Sequence, residues 1–155
     1  MLDDLRELYQ EVILDHGKQP RNFRRPDHPT NEAAGRNPLC GDQLVVYLDI
    51  GEDGTIKDVS FLGKGCAISM ASASMMTEIV KGKTVDEAKA LFDRFHHMCT
   101  DDEAEPVEDD EALEKLQVLS GVRQFPVRVK CATLPWHTLS AAIDGVEEIS
   151  TEAGE

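Results

Sequence analysis

Two runs of β-branched and aromatic residues, 44–50 (LVVYLDI) and 55–62 (TIKDVSFL), stand either side of the turn Gly51-Glu52-Asp53-Gly54. Apolar runs of this length joined by a glycine-rich turn predict an antiparallel hairpin. After Gly63-Lys64-Gly65 the composition changes to Ala, Ser and Met as far as Val80. That change predicts a closely packed helix whose N-terminus lies at Cys66 or just beyond. A hairpin feeding directly into a small-residue helix sets the frame for the rest of the chain.

Leu2, Leu5, Leu8, Val12 and Ile13 recur at spacings of three and four, an amphipathic helix stopped by Gly17 and Pro20. Residues 18–38 hold four of the seven prolines, which predicts irregular chain with one short edge strand near 30–35. Thr84 and Glu87 form a capping-box pair, followed by a stripe of Val85, Ala88, Leu91, Phe92 and Phe95 ending near Cys99. Residues 101–111 carry eight acids around one proline and read as a solvated excursion into a short helix bearing Leu113, Leu116 and Leu119. A last helix is expected after Cys131, from about Thr133-Leu134-Pro135 through Val146. The expected fold class is α+β: a small antiparallel sheet of about three strands packed against helices. Residues 1–147 would form a single domain and 148–155 a flexible acidic tail.

The length of 155 residues and 41% hydrophobic content suit one modest core. No apolar window is long enough for a membrane helix, and the N-terminus is charged from its third residue, so a cytoplasmic protein is expected. Thirty acidic against sixteen basic side chains give a net charge of −14, which repels nucleic acid and anionic membranes while leaving a basic protein patch attractive. In a reducing compartment Cys40, Cys66, Cys99 and Cys131 are thiols available to a metal or a reaction.

Three of them share a setting. Cys40 precedes Gly41-Asp42, Cys66 follows Gly63-Lys64-Gly65, and Cys131 follows Arg128-Val129-Lys130. Glycines let the chain turn sharply and uncover a sulfur. A helix N-terminus expected after Cys66 and after Cys131, with Lys64 and Lys130 beside them, favours thiolate. Asp42, two residues from Cys40, can turn a carboxylate to the same centre and complete a four-ligand set in which one weaker oxygen makes the site labile. Successive cysteines lie 26 and 65 residues apart with no CxxC pair, so spacing leaves three independently buried cysteines equally open. Cys99, at the end of an amphipathic helix without a glycine loop, reads as structural, His16 as a helix C-terminal residue, and Met70, Met75 and Met76 as core.

At these positions the chain resembles the IscU/SufU family of iron–sulfur cluster assembly proteins: a C-G-D turn, a G-x-G-C-A-I-S loop and a third cysteine before the last helix. The likeness extends to residues 5–22 (LRELYQEVILDHGKQPRN) and to 42–80. Lys130 in place of histidine before the third cysteine, and the insert over 101–121, resemble the SufU branch. The segment Phe125-Pro126-Val127-Arg128 only partly resembles the peptide that IscU offers its chaperone. The resemblance implies cysteine loops meeting at one exposed end and a metal site of Cys40, Asp42, Cys66 and Cys131. It implies Zn2+ there, or a transient [2Fe–2S] cluster, with Cys40 accepting persulfide sulfur from a pyridoxal-phosphate cysteine desulfurase of the SufS kind. Lys130, Arg128 and Lys64 would support the site, and downstream cluster acceptors would follow. Such a chain would be no stand-alone enzyme, at most a zinc-dependent sulfurtransferase acting with its desulfurase. The alternatives are a scaffold on which the cluster is built and a small protein with a purely structural zinc.

Overall fold

The structure, a computed structural model, describes residues 2–38, 41–100 and 111–150. The expected hairpin is present as strands β2 (Asp42–Ile50) and β3 (Ile56–Lys64), paired antiparallel from Gln43↔Lys64 to Ile50↔Ile56. Alternation along β2 turns Leu44, Val46 and Leu48 into the core. Strand β1 (Asn31–Asn37) pairs antiparallel with β2, so it is longer than the edge strand expected near 30–35 and lies inside the sheet.

Its other neighbour is β4 (Glu148–Ser150), which runs parallel to it and completes a four-stranded mixed sheet of order β3-β2-β1-β4. Residues 148–150, expected in the tail, therefore belong to the sheet, while 151–155 lie outside the described residues. The sequence 148–150 is too short and polar to announce a strand. It forms because Gly145, left-handed at φ 79°, ends the last helix and returns the chain to the sheet, where Ala34 N–H bonds the Glu147 carbonyl at 2.8 Å.

Helices cover one face. α1 (Leu2–Lys18) packs on α2 (Ala67–Val80), and α3 (Val85–Thr100) begins with the expected reciprocal capping pair, Thr84 N–H to Glu87 at 2.9 Å and Glu87 N–H to Thr84 Oγ1 at 3.1 Å. The acidic stretch 101–110 lies outside the described residues. After it come α4 (Glu111–Leu116) and a 3-10 helix (Gln117–Gln124), which bury Leu113, Leu116 and Leu119 as expected. Irregular residues 19–23 are pinned to α2: His16 Nδ1 and the Arg21 N–H both meet Ser74 Oγ, at 2.7 and 2.8 Å, and Asn22 donates to Thr77 Oγ1 at 3.0 Å. His16 is thus a tie between helices as well as a C-terminal residue of α1. Cys99 and Met76 are fully buried and Met75 nearly so, as core residues should be. Among the described residues no helix is long and apolar enough to cross a membrane.

The last helix, α5 (Pro126–Asp144), starts well before the point expected after Cys131. Pro126 sits in its first turn, where a missing N–H costs nothing, and Pro135, read from sequence as a start signal, lies in the interior. α5 crosses β1 at Gly35, where an added Cβ would overlap the Thr138 side chain and approach Leu134 Cδ1 to 3.2 Å. Gly35→Ala should therefore cost about 1–3 kcal/mol by overpacking, read as a lowered midpoint in urea unfolding at unchanged slope; an unchanged midpoint would contradict this packing.

Candidate metal centre

The alternation that buries Leu44 also turns Asp42 inward, and its cross-strand partner Asn37 lies on the same face. Both are fully buried. Asp42 Oδ1 accepts the Cys66 N–H at 2.9 Å, joining the start of β2 to the N-cap of α2. Only glycine fits between them, because a Cβ at Gly65 would stand 2.5 Å from Asp42 Oδ1. The second carboxylate oxygen, Oδ2, is buried with no hydrogen-bond partner. A buried carboxylate oxygen left unpaired is costly unless a cation completes it.

Cys66 and Cys131 supply the other donors. One ligand atom each from Asp42, Cys66 and Cys131 lie within 4.8 Å of one another, the only such group of three or more among the described residues. Two thiolates and a carboxylate form a sulfur-rich, borderline-soft donor set that suits zinc or iron. The residues present fit such an ion. Asn37 Nδ2 donates to Cys131 Sγ at 3.6 Å. Sequence reasoning assigned Asn37 no role, since an Asn before Pro38 at a strand end reads as an ordinary turn former.

One expectation about this site is corrected. Cys131 is the sixth residue of α5, buried inside a helix rather than placed ahead of one, so no helix N-terminus favours its thiolate. Of the three described donors Cys66 alone keeps some exposure. Cys40 lies outside the described residues.

The Cys66 thiol is lowered to about 6, first by the hydrogen bond from Cys131 and then by the backbone N–H groups of Ser69 and Ile68, against burial and the Asp42 charge. The helix N-terminus therefore acts on Cys66 as expected. The cationic push expected of Lys64 and Lys130 is not among its causes. Lys64 pairs with Gln43, the residue next to Asp42, and so points to the opposite face of the sheet. Lys64 and half-buried Lys130 both border an open groove of about 1160 Å³ whose floor includes Tyr47 and Leu62, and Arg128 is exposed in the first turn of α5.

A mixed four-stranded sheet with its helices on one face, carrying an Asp-Cys-Cys cluster between β2, α2 and α5, defines a small α+β protein with a candidate metal site. Residues 8–132 match the family described as NifU-like N terminal domain, and the chain belongs to that family. It is 41% identical over 142 residues to the iron-sulfur cluster assembly scaffold protein IscU of Streptococcus pyogenes, covering 92% of this chain and 86% of that one. It is 39% identical over 140 residues to the zinc-dependent sulfurtransferase SufU of Bacillus subtilis, covering 90% and 92%. A putative iron-sulfur cluster assembly scaffold protein for the SUF system from Fervidobacterium islandicum superposes with a TM-score of 0.78 at 34% identity, over 86% of this chain and 94% of that one.

The depressed thiol makes a testable statement about pH. In the metal-free chain a lowered pKa stabilises the fold fully above the unfolded thiol's value, and that contribution is lost as pH falls through about 6. With Cys40 and Cys99 replaced by serine, alkylation of Cys66 should reach half its maximal rate near pH 6, whereas an ordinary thiol does so at about 8.5. A midpoint above 8 would show that neither the Cys131 thiol nor the α2 amides act on it.

Proposed function

We infer that this chain is an iron–sulfur cluster assembly protein that accepts sulfur from a cysteine desulfurase beside a metal ion held by Cys40, Asp42, Cys66 and Cys131. One observation carries the reading: a fully buried carboxylate with an unpartnered oxygen stands among two cysteines that the chain brings from 24 and 89 residues further on. The relatives named IscU and SufU supply the context, and a reducing cytoplasm is where such thiols persist. Cys40 is two residues from Asp42, at most about 7 Å between Cα atoms. Among the described residues on either side of it, the Gly41 N–H bonds the Asn37 carbonyl at 2.9 Å.

When bound, zinc would keep its ligating sulfurs deprotonated at neutral pH and guard them against disulfide formation. The chemistry asked of the chain is a thiol–persulfide exchange. The Cys40 thiolate attacks the outer sulfur of the desulfurase persulfide, the S–S bond breaks, the desulfurase cysteine leaves as a thiolate, and Cys40 carries the sulfur as its own persulfide. Exposed Arg128 and half-buried Lys130 are the cations on the α5 side suited to steady that charge. A pyridoxal-phosphate desulfurase of the SufS kind is the partner this role requires. Downstream, cluster acceptor proteins take the product.

A second reading, a scaffold on which a [2Fe–2S] cargo is built, is favoured by the name scaffold carried by the Streptococcus pyogenes relative and by the thiolate donors. Metal analysis of protein purified without added metal separates zinc from iron. Adding the purified chain to its desulfurase should raise cysteine-dependent sulfide release, and Cys40→Ala should abolish the rise while the variant stays folded. A variant that stimulates as wild type overturns Cys40 as acceptor, and one that unfolds on loss of Cys40 returns the site to a structural staple. A visible-absorbing cluster after anaerobic reconstitution that passes to an apo-acceptor supports the scaffold role.

A further inference from the structure

Among the described helices, the buried hydroxyls other than that of Ser69 each have a hydrogen-bond partner. Thr133 and Thr138 in α5 donate to the carbonyls four residues back, at 2.8 Å each, and Thr77 in α2 donates to Ser74 at 2.7 Å. Ser72 spends its hydroxyl across the helix interface, on the carbonyl of Ala132 beside Cys131. Ser69 differs: it is fully buried in the first turn of α2, and its Oγ has no partner.

Its position narrows what the hydroxyl is for. Cys66, Ser69 and Ser72 are spaced by three and share one stripe of α2. The first of these meets Cys131 and the last meets Ala132, so the stripe faces α5 on both sides of Ser69. The backbone N–H of Ser69 already faces the Cys66 sulfur. Two of the four unpartnered buried side-chain atoms among the described residues, Asp42 Oδ2 and Ser69 Oγ, thus flank the same residue, Cys66, one through the β2 end and one through the first turn of α2.

We propose that Ser69 is a positioning residue of the metal centre, whose hydroxyl donates its hydrogen bond to the ligating Cys66 sulfur when the centre is loaded. A thiolate carrying metal accepts further hydrogen bonds, and such outer donors fix ligand orientation and raise metal retention. In the metal-free chain the same hydroxyl is unpaired and buried, a burden that alanine removes. The inference rests on the metal-site reading above.

The signature is an opposition that a merely structural serine does not produce. Ser69→Ala should raise the melting temperature of the metal-free chain, yet weaken zinc about 10-fold or more in competition with a chromophoric chelator, the scale on which outer-shell partners act. The thiolate-to-metal charge-transfer band of the Co2+-substituted variant should shift. Thr77→Ala, which removes satisfied bonds far along α2 from the centre, should lower the melting temperature and leave zinc affinity unchanged. Should Ser69→Ala bind zinc as tightly as wild type, or melt lower without metal, the assignment is overturned while the metal centre stands. A wild-type chain that takes no zinc at all removes the centre and this role together.

Discussion

The hydrogen bond from the Cys66 N–H to Asp42 is the joint on which the arrangement depends. It fastens the first residue of a central strand to the N-cap of a helix, over a glycine that leaves no room for anything larger. A carboxylate tied by one oxygen to a helix N-terminus is held there electrostatically as well as by geometry. Its other oxygen is left buried without a hydrogen-bond partner, and the cysteine at the cap is held by the same contact. One bond thus sets the direction of two donors.

The third described donor arrives by a different route. Cys131 sits inside α5, and its place depends on how closely that helix approaches β1 and α2. Gly35 removes a side chain from beneath α5, and the Ser72 hydroxyl bonds the Ala132 carbonyl on the other side. Asn37, from the strand next to Asp42, then reaches the sulfur itself. Strand alternation, a small-residue helix surface and a capped helix start each contribute one donor, and no single loop builds the centre.

Much of this could be read from the chain alone, for identifiable reasons. The hairpin, the α2 start at Cys66 and the Thr84–Glu87 cap follow from local signals: glycine turns, a composition change and a capping pair. The resemblance carried by the three cysteine contexts agrees with the family to which the chain belongs. Less legible were features set by tertiary contact. β4 depends on a left-handed Gly145 and a partner strand more than a hundred residues away, and α5 runs through a proline that would ordinarily mark a boundary. Nothing local marked Asn37, and Lys64 looked like a cationic neighbour of Cys66 until strand parity placed it on the far side of the sheet.

The Ala/Ser composition of α2 also works as a ruler. Between α1 and α5 the helix presents Ala71, Ser72, Ala73 and Ser74, all fully buried, so the neighbouring backbones are spaced by the thinnest side chains available. The gap between the Cys66 and Cys131 sulfurs is therefore measured out by methyl- and hydroxymethyl-sized groups rather than by flexible long chains. A single extra methylene on that surface would be read at the centre as a change of bite, so the chain's tolerance to drift should be narrowest along a helix that supplies only one donor atom, at its cap.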